Sequence, residues 1–223
     1  MSETPGLYPD HAIALVGMAG RFPGAASVRE LWENMLAGRE GVQSFREDQL
    51  DPAVPAEVRR DPAYVPVRGV MPDYDRFDAS FFGVSPMEAQ VMDPQQRVLL
   101  ELAYAALEDS GHRPGDLQRR VGVFVGANWN RYRSHCLDTR PDVVESFGHF
   151  ATSLANEHDF LATRISHKLD LRGPSATVST ACSTSLVAIV QAARALLNGS
   201  CDLALAGGAS ITVPTVAGQR EVA

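Results

Sequence analysis

Residues 173–189 are GPSATVSTACSTSLVAI, in which a cysteine stands among small hydroxylated residues, between an extended run and an apolar one. The pattern predicts a strand that ends near Thr180 and a helix that begins within a residue or two of Cys182. A thiol there lies at the positive end of the helix dipole, close to backbone N–H groups without partners in the helix. Such surroundings stabilise the thiolate, the nucleophilic form of cysteine. Cys182 is therefore a candidate nucleophile, and a buried structural thiol is the alternative that this local pattern leaves open.

The residues next to Cys182 are small, as a sharp strand-to-helix turn and a narrow substrate tunnel both require. They are Ala181, Ser183, Thr184 and Ser185. A reacting carbonyl oxygen would lie against the helix amides, which would form an oxyanion site. Cys201 is interpreted as a small buried side chain. Cys136 lies in the polar segment NRYRSHCLD (130–138), where no pattern assigns it a base or an electrophile. Three cysteines without a C-x-x-C pair predict neither a disulfide framework nor a zinc site.

The chain alternates predicted strands and helices. Short apolar runs predict strands at residues 12–17, 121–127, 176–180, 202–208 and 209–214. Capping signals and apolar stripes predict helices at residues 28–38, from residue 86, at 94–110 and at 185–198, the last apolar on nearly all sides and therefore buried. The proline-rich residues 39–79 predict a long irregular excursion with brief extended pieces. This order indicates one α/β domain with a mainly parallel sheet covered on both faces.

Composition excludes several classes of protein. Of the 223 residues, 45% are apolar and 21% are charged, which is typical of a globular protein in water. The net charge of −7 and the scattered arginines predict no nucleic-acid partner. No apolar run approaches the roughly 20 residues of a membrane span, and the N-terminus lacks the pattern of a signal peptide. We therefore expect no membrane partner and a cytoplasmic location.

Two enzyme classes fit the motifs poorly. The stretch VGMAGRFPG (16–24) follows a predicted strand, as a dinucleotide-binding loop does. Its spacing is not G-x-G-x-x-G, however, and Pro23 prevents a helix from beginning there. A cysteine hydrolase of the elbow type would need glycines on both sides of the nucleophile and a later histidine. The stretch TACSTS (180–185) has no such glycines, and no histidine follows it.

Several stretches of the sequence resemble the ketosynthase domains of modular polyketide synthases, which are β-ketoacyl synthases. Residues 173–189 resemble the segment that carries the family's active-site cysteine. The others, in the family's order, are IALVGMAGRFPGAASVRELWENMLAGREG (13–41), FDASFFGVSPMEAQVMDPQQRVLLELAYAALEDSG (77–111), VGVFVGANWNRY (121–132) and ANEHDFLATRISHKLDLRGPS (155–175). The resemblance predicts an N-terminal extension at 1–11, a β-ketoacyl synthase N-terminal domain at 12–214 and a divergent tail at 215–223.

The resemblance implies a fold and a reaction. Members have the thiolase fold, in which two similar α/β halves stack in five αβαβα layers, usually within a homodimer. The active-site cysteine, here Cys182, takes an acyl group from an acyl carrier protein as a thioester, and the carbanion of a decarboxylated malonyl-type unit then attacks it. The acyl group arrives on the carrier's phosphopantetheine arm, so the resemblance implies no bound cofactor and no metal. The expected enzyme is an acyltransferase of polyketide or fatty acid biosynthesis.

The family's remaining catalytic residues are not found where the resemblance would place them. They are a lysine and two histidines, in H-G-T-G-T and N-I-G-H contexts, downstream of the cysteine. Here all six histidines precede Cys182 and no lysine follows it. His158 and His167 are interpreted as packing or surface residues rather than as bases. We therefore expect the N-terminal half of a ketosynthase that pairs in a homodimer or with a complementing C-terminal half, and the alternative is a non-catalytic remnant or assembly subunit.

Overall fold

The computed structural model describes residues 11–115 and 118–220. Its strands, in chain order, are β1 (Val42–Ser44), β2 (Tyr64–Val65), β3 (Val67–Gly69), β4 (Val121–Ala127), β5 (Ser175–Thr177), β6 (Leu203–Ala209) and β7 (Gln219–Arg220). Its α-helices are α1 (Val28–Leu36), α2 (Ala56–Arg59), α3 (Pro86–Val91), α4 (Pro94–Asp109), α5 (Pro141–Phe147), α6 (His149–Leu154), α7 (Leu161–Lys168) and α8 (Thr184–Leu197). Among these described helices, none is long and apolar enough to cross a membrane.

A parallel sheet in the order β5-β4-β6 forms the centre of the described chain. In the middle strand, Val123 pairs with Ser175 of β5 and with Leu205 of β6. The first six residues of β4 are buried, as expected of a central strand with both faces covered. Helices separate β4 from β5 and β5 from β6 along the chain. The predicted α/β class with a parallel sheet is confirmed.

The two faces of β4 pack against different helices because its side chains alternate in direction. Val123 belongs to a buried cluster with residues of α4 and α7, such as Ile165. Phe124 belongs to a second cluster, with Ala188 and Ala192 of α8. The sheet is therefore covered by α4 and α7 on one face and by α8 on the other. The turn that precedes α8 is thus anchored by a helix packed directly on the central strand.

Side-chain caps confirm three of the predicted helix starts. Ser27 Oγ accepts a hydrogen bond from Glu30 N at 3.1 Å, before α1. Ser85 Oγ accepts one from Glu88 N at 3.1 Å, before α3. Asp93 Oδ1 accepts one at 2.9 Å from an amide in the first turn of α4. Each cap satisfies an N–H that has no partner inside its helix, which is why local sequence predicts these positions well.

Residues 39–79 form an irregular excursion with short extended pieces, as predicted. β1 pairs with β3, and β2 pairs with β7 near the C-terminus, both antiparallel. The guanidinium of Arg68 donates to the carbonyl oxygens of Pro214 at 2.8 Å and Gly218 at 3.0 Å. The segment after Pro214 is thus held against the excursion. The predicted domain boundaries at residues 11 and 214 stay predictions, and residues 1–10 and 221–223 lie outside the described residues.

The strand predicted at residues 12–17 is wrong. Among the described residues no strand lies beside this segment, and a strand needs a neighbour for its backbone hydrogen bonds. Its apolar side chains are exposed, and Leu15 is 77% accessible. The residue directly after the segment contacts α4 instead, since Met18 N donates to Asp109 Oδ2 at 2.8 Å. A short apolar run alone did not reveal that a pairing partner was lacking in this part of the described chain.

The second of the two strands predicted between residues 202 and 214 is also wrong. β6 confirms the first, but in the described chain no strand directly follows it. Ile211 N donates to the side chain of Gln95 at 3.2 Å instead of to a neighbouring strand. β5 is shorter than the predicted 176–180, since it ends at Thr177. A hydrogen bond from Ile211 N to a side chain that is distant in sequence takes the place of a strand ladder, and local patterns do not contain such a partner.

The last helix, which is apolar on nearly all sides, was predicted to be buried, and this is wrong, although α8 confirms its position. Its alanine face lies on the sheet, where Ala188 is fully buried. The opposite face is apolar and accessible, with Leu186 65% and Ile189 53% exposed and with Val190 and Leu197 also exposed. We call these four residues the apolar stripe of α8. Exposed apolar surfaces of this kind are typical of interaction sites.

Candidate active site

Cys182 lies in the turn between β5 and α8. A 3-10 turn, Ala181–Ser183, contains it, and α8 begins at Thr184, two residues later. This is the strand–turn–helix position that the sequence predicts. The Cys182 side chain is exposed, so a substrate can reach its Sγ atom. The structure thus places the thiol as a nucleophile would require, while its catalytic role stays a prediction.

The turn is sharp because Ala181 has a φ of +52°. This left-handed conformation costs a non-glycine residue about 1–2 kcal/mol. Hydroxyl groups hold the turn: Thr184 Oγ1 accepts from Thr180 N at 3.0 Å and donates to Ala181 O at 2.8 Å. Ser183 Oγ donates to Thr180 O at 2.8 Å. These hydrogen bonds explain why hydroxylated residues surround the cysteine, since they offset the strain of the turn.

Two glycines near the carboxyl ends of β4 and β6 lie under the turn. A Cβ atom on Gly126 would overlap Val178 O and Thr184 Cγ2. A Cβ atom on Gly208 would lie 3.4 Å from Ser185 Cβ, which is ordinary contact. We call Gly126 and Gly208 the floor of the turn. In α/β proteins, ligands bind at this edge, outside the carboxyl ends of the parallel strands.

The N-terminus of α8 lies beside Cys182 in the chain. In the described part of the chain no side chain caps this terminus. Amides in the first turn of a helix lack partners inside the helix, and the helix dipole adds positive partial charge there. This arrangement can stabilise the oxyanion that forms when the Cys182 sulfur attacks a thioester.

The other cysteines lie in less accessible surroundings. Cys201 is 3% exposed and packs with Phe124 and Ala192, and burial raises the pKa of its thiol. Its interpretation as a small buried side chain is confirmed. Cys136 is half-buried, and burial raises the pKa of its thiol as well. A raised pKa favours the neutral thiol, which is the poorer nucleophile. Cys182 is therefore the best-placed of the three thiols for nucleophilic chemistry.

The histidines nearest to Cys182 in sequence belong to the region around α7. His167 lies in the last turn of that helix, and His158 lies in a 3-10 turn before it. His158 O accepts a hydrogen bond from Thr177 Oγ1 at 3.0 Å, so its backbone contacts β5. Their assignment as packing or surface residues stays a prediction. Within the described ranges, no group of three or more histidine, cysteine, aspartate or glutamate side chains could hold a metal ion.

Sequence reasoning missed a buried polar cluster at the start of α4. Asp93, Gln95, Gln96 and Arg97 are all buried. Burial raises the pKa of the Asp93 carboxyl, and the hydrogen bonds from Gln95 oppose that shift. A signal was present in the sequence, because Gln95 lies four residues before Leu99 and extends the apolar face of the helix. A polar residue on a core-facing stripe indicates a side chain that is hydrogen-bonded inside the protein.

Comparison with known proteins explains this combination of fold and cysteine. The family model of the β-ketoacyl synthase N-terminal domain matches residues 10–220. The chain belongs to this family. The resemblance inferred from the motifs is thereby confirmed, and so is the thiolase-like α/β fold class, since the similar solved structures are ketosynthases.

The relatives in sequence are polyketide synthases. The chain is 46% identical over 213 residues to one of the subunits of the phenolphthiocerol/phthiocerol polyketide synthase of Mycobacterium tuberculosis, and the match covers 92% of this chain and 14% of that protein. It is 41% identical over 216 residues to the pikromycin polyketide synthase component PikAII of Streptomyces venezuelae, covering 92% of this chain and 6% of that protein. The chain therefore spans a small part of the curated relatives that it matches.

The relatives in structure are single ketosynthases. Ketosynthase twelve of the bacillaene polyketide synthase of Bacillus amyloliquefaciens matches with a TM-score of 0.84 and 34% identity, covering 96% of this chain and 37% of that one. The ketosynthase from module 1 of the bacillaene synthase of the same species matches with a TM-score of 0.76 and 33% identity, covering 92% and 36%. The chain thus corresponds to rather more than a third of a solved ketosynthase chain.

Proposed function

We propose that this chain provides the acyl-accepting part of a polyketide-type β-ketoacyl synthase and that Cys182 is its nucleophile. The observation that carries the proposal is the exposed thiol of Cys182 in the turn before α8, in a chain that belongs to the β-ketoacyl synthase family. The polyketide synthases among its relatives favour a polyketide chain over a fatty acid as the acyl group.

The first step is transfer of an acyl group from an acyl carrier protein to Cys182. The thiolate forms a bond from Sγ to the acyl carbonyl carbon, and the bond from that carbon to the sulfur of the phosphopantetheine arm breaks. The departing sulfur takes up the proton that the Cys182 thiol released. Between these events the carbonyl oxygen carries a negative charge, which the first amides of α8 can stabilise. Because the carrier brings the phosphopantetheine, the transfer needs no cofactor bound to this chain.

The second step, decarboxylative condensation, needs residues that this sequence does not contain. Loss of carbon dioxide from a malonyl-type thioester leaves its electron pair on an enolate, whose carbon then attacks the acyl-Cys182 carbonyl and releases the thiolate. The enolate oxygen requires positioned donors. No histidine or lysine follows Cys182 in the 223 residues. We infer that a complementing C-terminal half supplies these donors and that the acyl carrier protein is the second partner.

The apolar stripe of α8 supports a protein partner. Leu186, Ile189, Val190 and Leu197 are exposed on one face of a helix whose other face packs on the sheet. A C-terminal half, or a second copy within a homodimer, would cover apolar surface of this kind. We also propose the cytoplasm as the compartment, because three free cysteines fit a reducing environment.

A second candidate function is that of a non-catalytic assembly protein. One observation favours it: the exposed apolar stripe, which is typical of an interaction surface. The two functions differ in the chemistry of Cys182, since an assembly protein has no need of a reactive thiol.

Acyl transfer to the purified chain tests the proposed function. The chain is incubated with an acyl-N-acetylcysteamine thioester, and the adduct is located by intact mass and peptide mapping. We expect one acyl group on Cys182, no adduct in Cys182→Ala, and an unchanged adduct in the matched control Cys136→Ala. A wild-type chain whose Cys182 stays unmodified while Cys136 or Cys201 is acylated would favour the assembly protein.

A further inference from the structure

Gln95 joins the ends of two strands of the central sheet. It is the second residue of α4, and its side chain is 0% exposed. Its Oε1 accepts hydrogen bonds from Asn128 N at 3.1 Å and from Ile211 N at 3.2 Å. Its Nε2 donates to Asn128 O at 2.9 Å and to Asp93 Oδ2 at 3.2 Å. Both acceptor and both donor positions of the amide are therefore used.

The backbone groups that Gln95 binds belong to Asn128, one residue beyond the end of β4, and to Ile211, two residues beyond the end of β6. β4 ends at Ala127 and β6 at Ala209, and Asn128 N also donates to Ala209 O at 2.9 Å. The side chain of Gln95 thus links the two chain segments where the backbone hydrogen bonds between β4 and β6 end. Without it, the buried N–H of Ile211 would lose its partner, which proteins rarely tolerate.

The same strand ends carry the floor of the turn. Gly126 lies two residues before Asn128, and a Cβ atom on it would overlap Thr184 Cγ2. Gly208 lies three residues before Ile211, and a Cβ atom on it would be in ordinary contact with Ser185. Because the approach at Gly126 is close, a displacement of the end of β4 is passed to the turn that holds Cys182, and the hydrogen bonds of Gln95 tie the end of β6 to that of β4. The hydrogen bonds of Gln95 therefore fix the distance between the ends of β4 and β6 and the orientation of these strand ends, against which the turn packs.

We propose that Gln95 is a positioning residue for Cys182: by fixing the ends of β4 and β6, it fixes the floor and thereby the direction of the thiol and of the first amides of α8. Its consequence for the reaction rests on the proposed function, because acyl transfer requires Sγ and the oxyanion donors in one geometry. A displacement of about 1 Å in such a site can cost on the order of 100-fold in rate.

The neighbouring residue provides a matched control. Gln96 is 1% exposed, and it also makes side-chain hydrogen bonds, from Nε2 to Glu157 O at 3.2 Å and from Arg164 Nε to its Oε1 at 2.9 Å. These partners belong neither to β4 nor to β6. Gln95→Met and Gln96→Met therefore remove the same chemical group at similar burial and differ in whether the strand ends are released. Gln95→Glu is a second variant that keeps the shape and one acceptor oxygen, in case Gln95→Met fails to fold.

The experiment compares the variants by hydrogen exchange and by acylation of the purified chain. In Gln95→Met, we expect the amides at 183–187 to exchange about tenfold faster or more. We also expect Cys182 to be acylated about tenfold more slowly or more. Gln96→Met should leave both within about threefold of wild type at a comparable melting temperature. Gln95→Glu should show the direction of Gln95→Met, because its second oxygen repels Asn128 O and Asp93.

The outcomes separate this inference from the proposed function. If wild-type Cys182 takes no acyl group, the proposed function fails, and hydrogen exchange still decides the positioning. If the amides at 183–187 exchange alike in the Gln95 variants and in Gln96→Met, the positioning inference is overturned, whether or not acylation occurs. If exchange differs but acylation does not, Gln95 shapes the turn without affecting the reaction, and the proposal is overturned as well.

Discussion

A Cβ atom on Gly126 of β4 would occupy the space that the methyl group of Thr184, the first residue of α8, already fills. The same atom would overlap Val178 O. The turn with Cys182 can therefore approach the sheet only where β4 has no side chain. This close approach places the start of α8 directly over the carboxyl end of the central strand.

Gly126→Ala should displace the turn and impair acylation of Cys182. Because one of the overlapping atoms is backbone, we expect a loss of about 1–3 kcal/mol in the free energy of unfolding. Gly207→Ala in β6 is the control, since no atom lies within 4 Å of its Cβ position. Urea unfolding and acyl-adduct formation check both variants. Equal stability and equal acylation of the two variants would contradict the close contact between β4 and the turn.

Much of the site was predictable because its signals are local. Small residues around Cys182, the extended run before it and the apolar run after it predicted the turn, and serine and aspartate caps predicted three helix starts. The incorrect predictions concern residues whose partners are distant in sequence. The sequence of residues 12–17 does not reveal that a neighbouring strand is lacking among the described residues. The sequence around Ile211 does not reveal that its amide donates to Gln95 rather than to a strand.

The exposed face of α8 was mispredicted for a related reason. Apolar residues on nearly all sides predict burial, but a sequence pattern does not tell whether the covering surface belongs to the same 223 residues. The alanine face of α8 packs on β4 and β6, and the leucine and isoleucine face remains accessible. The pattern therefore identified an apolar surface correctly and assigned its burial wrongly.

The apolar stripe of α8 should cause self-association of the isolated chain. We expect concentration-dependent oligomers in sedimentation velocity, because exposed apolar surface is removed from water on association. Ile189→Lys combined with Leu197→Lys should shift the chain towards monomer. Gln191→Lys adds one of these two positive charges on the same helix, outside the stripe, and should leave association unchanged. A stable monomer for the wild-type chain at all concentrations would count against the stripe as an interaction surface.

Asp202 lies at the end of the sheet opposite the turn with Cys182. Its carboxylate should make the free energy of unfolding depend on pH. Hydrogen bonds from the side chain of Arg120, and then from its backbone N, lower the pKa of the Asp202 carboxyl. Because the pKa is lowered in the folded state, the ionised carboxylate stabilises the fold at pH values above the ordinary pKa of an aspartate. That contribution is lost as pH falls through the lowered pKa.

Thermal unfolding at pH 7 and at about pH 2.5 tests this dependence, because the two pH values lie above and below the ordinary pKa of an aspartate. Asp202→Asn should lower the melting temperature at pH 7, and its difference from wild type should shrink at the acidic pH. The control Asp170→Asn changes an exposed carboxylate outside the sheet and should show a small difference at both values. A difference for Asp202→Asn that grows as the pH falls would refute the pairing with Arg120.

The central claim is that Cys182 accepts an acyl group and that residues 1–223 do not carry out condensation by themselves. The most direct measurement is intact mass and product analysis of the purified 223-residue chain, supplied with an acyl thioester and malonyl-acyl carrier protein together. We predict an acyl adduct that disappears in Cys182→Ala, with no carbon dioxide release and no β-ketoacyl product, because losing even one positioned donor costs about 10²–10³ in rate. An adduct that persists in Cys182→Ala, or β-ketoacyl product at ordinary synthase rates, would contradict this account.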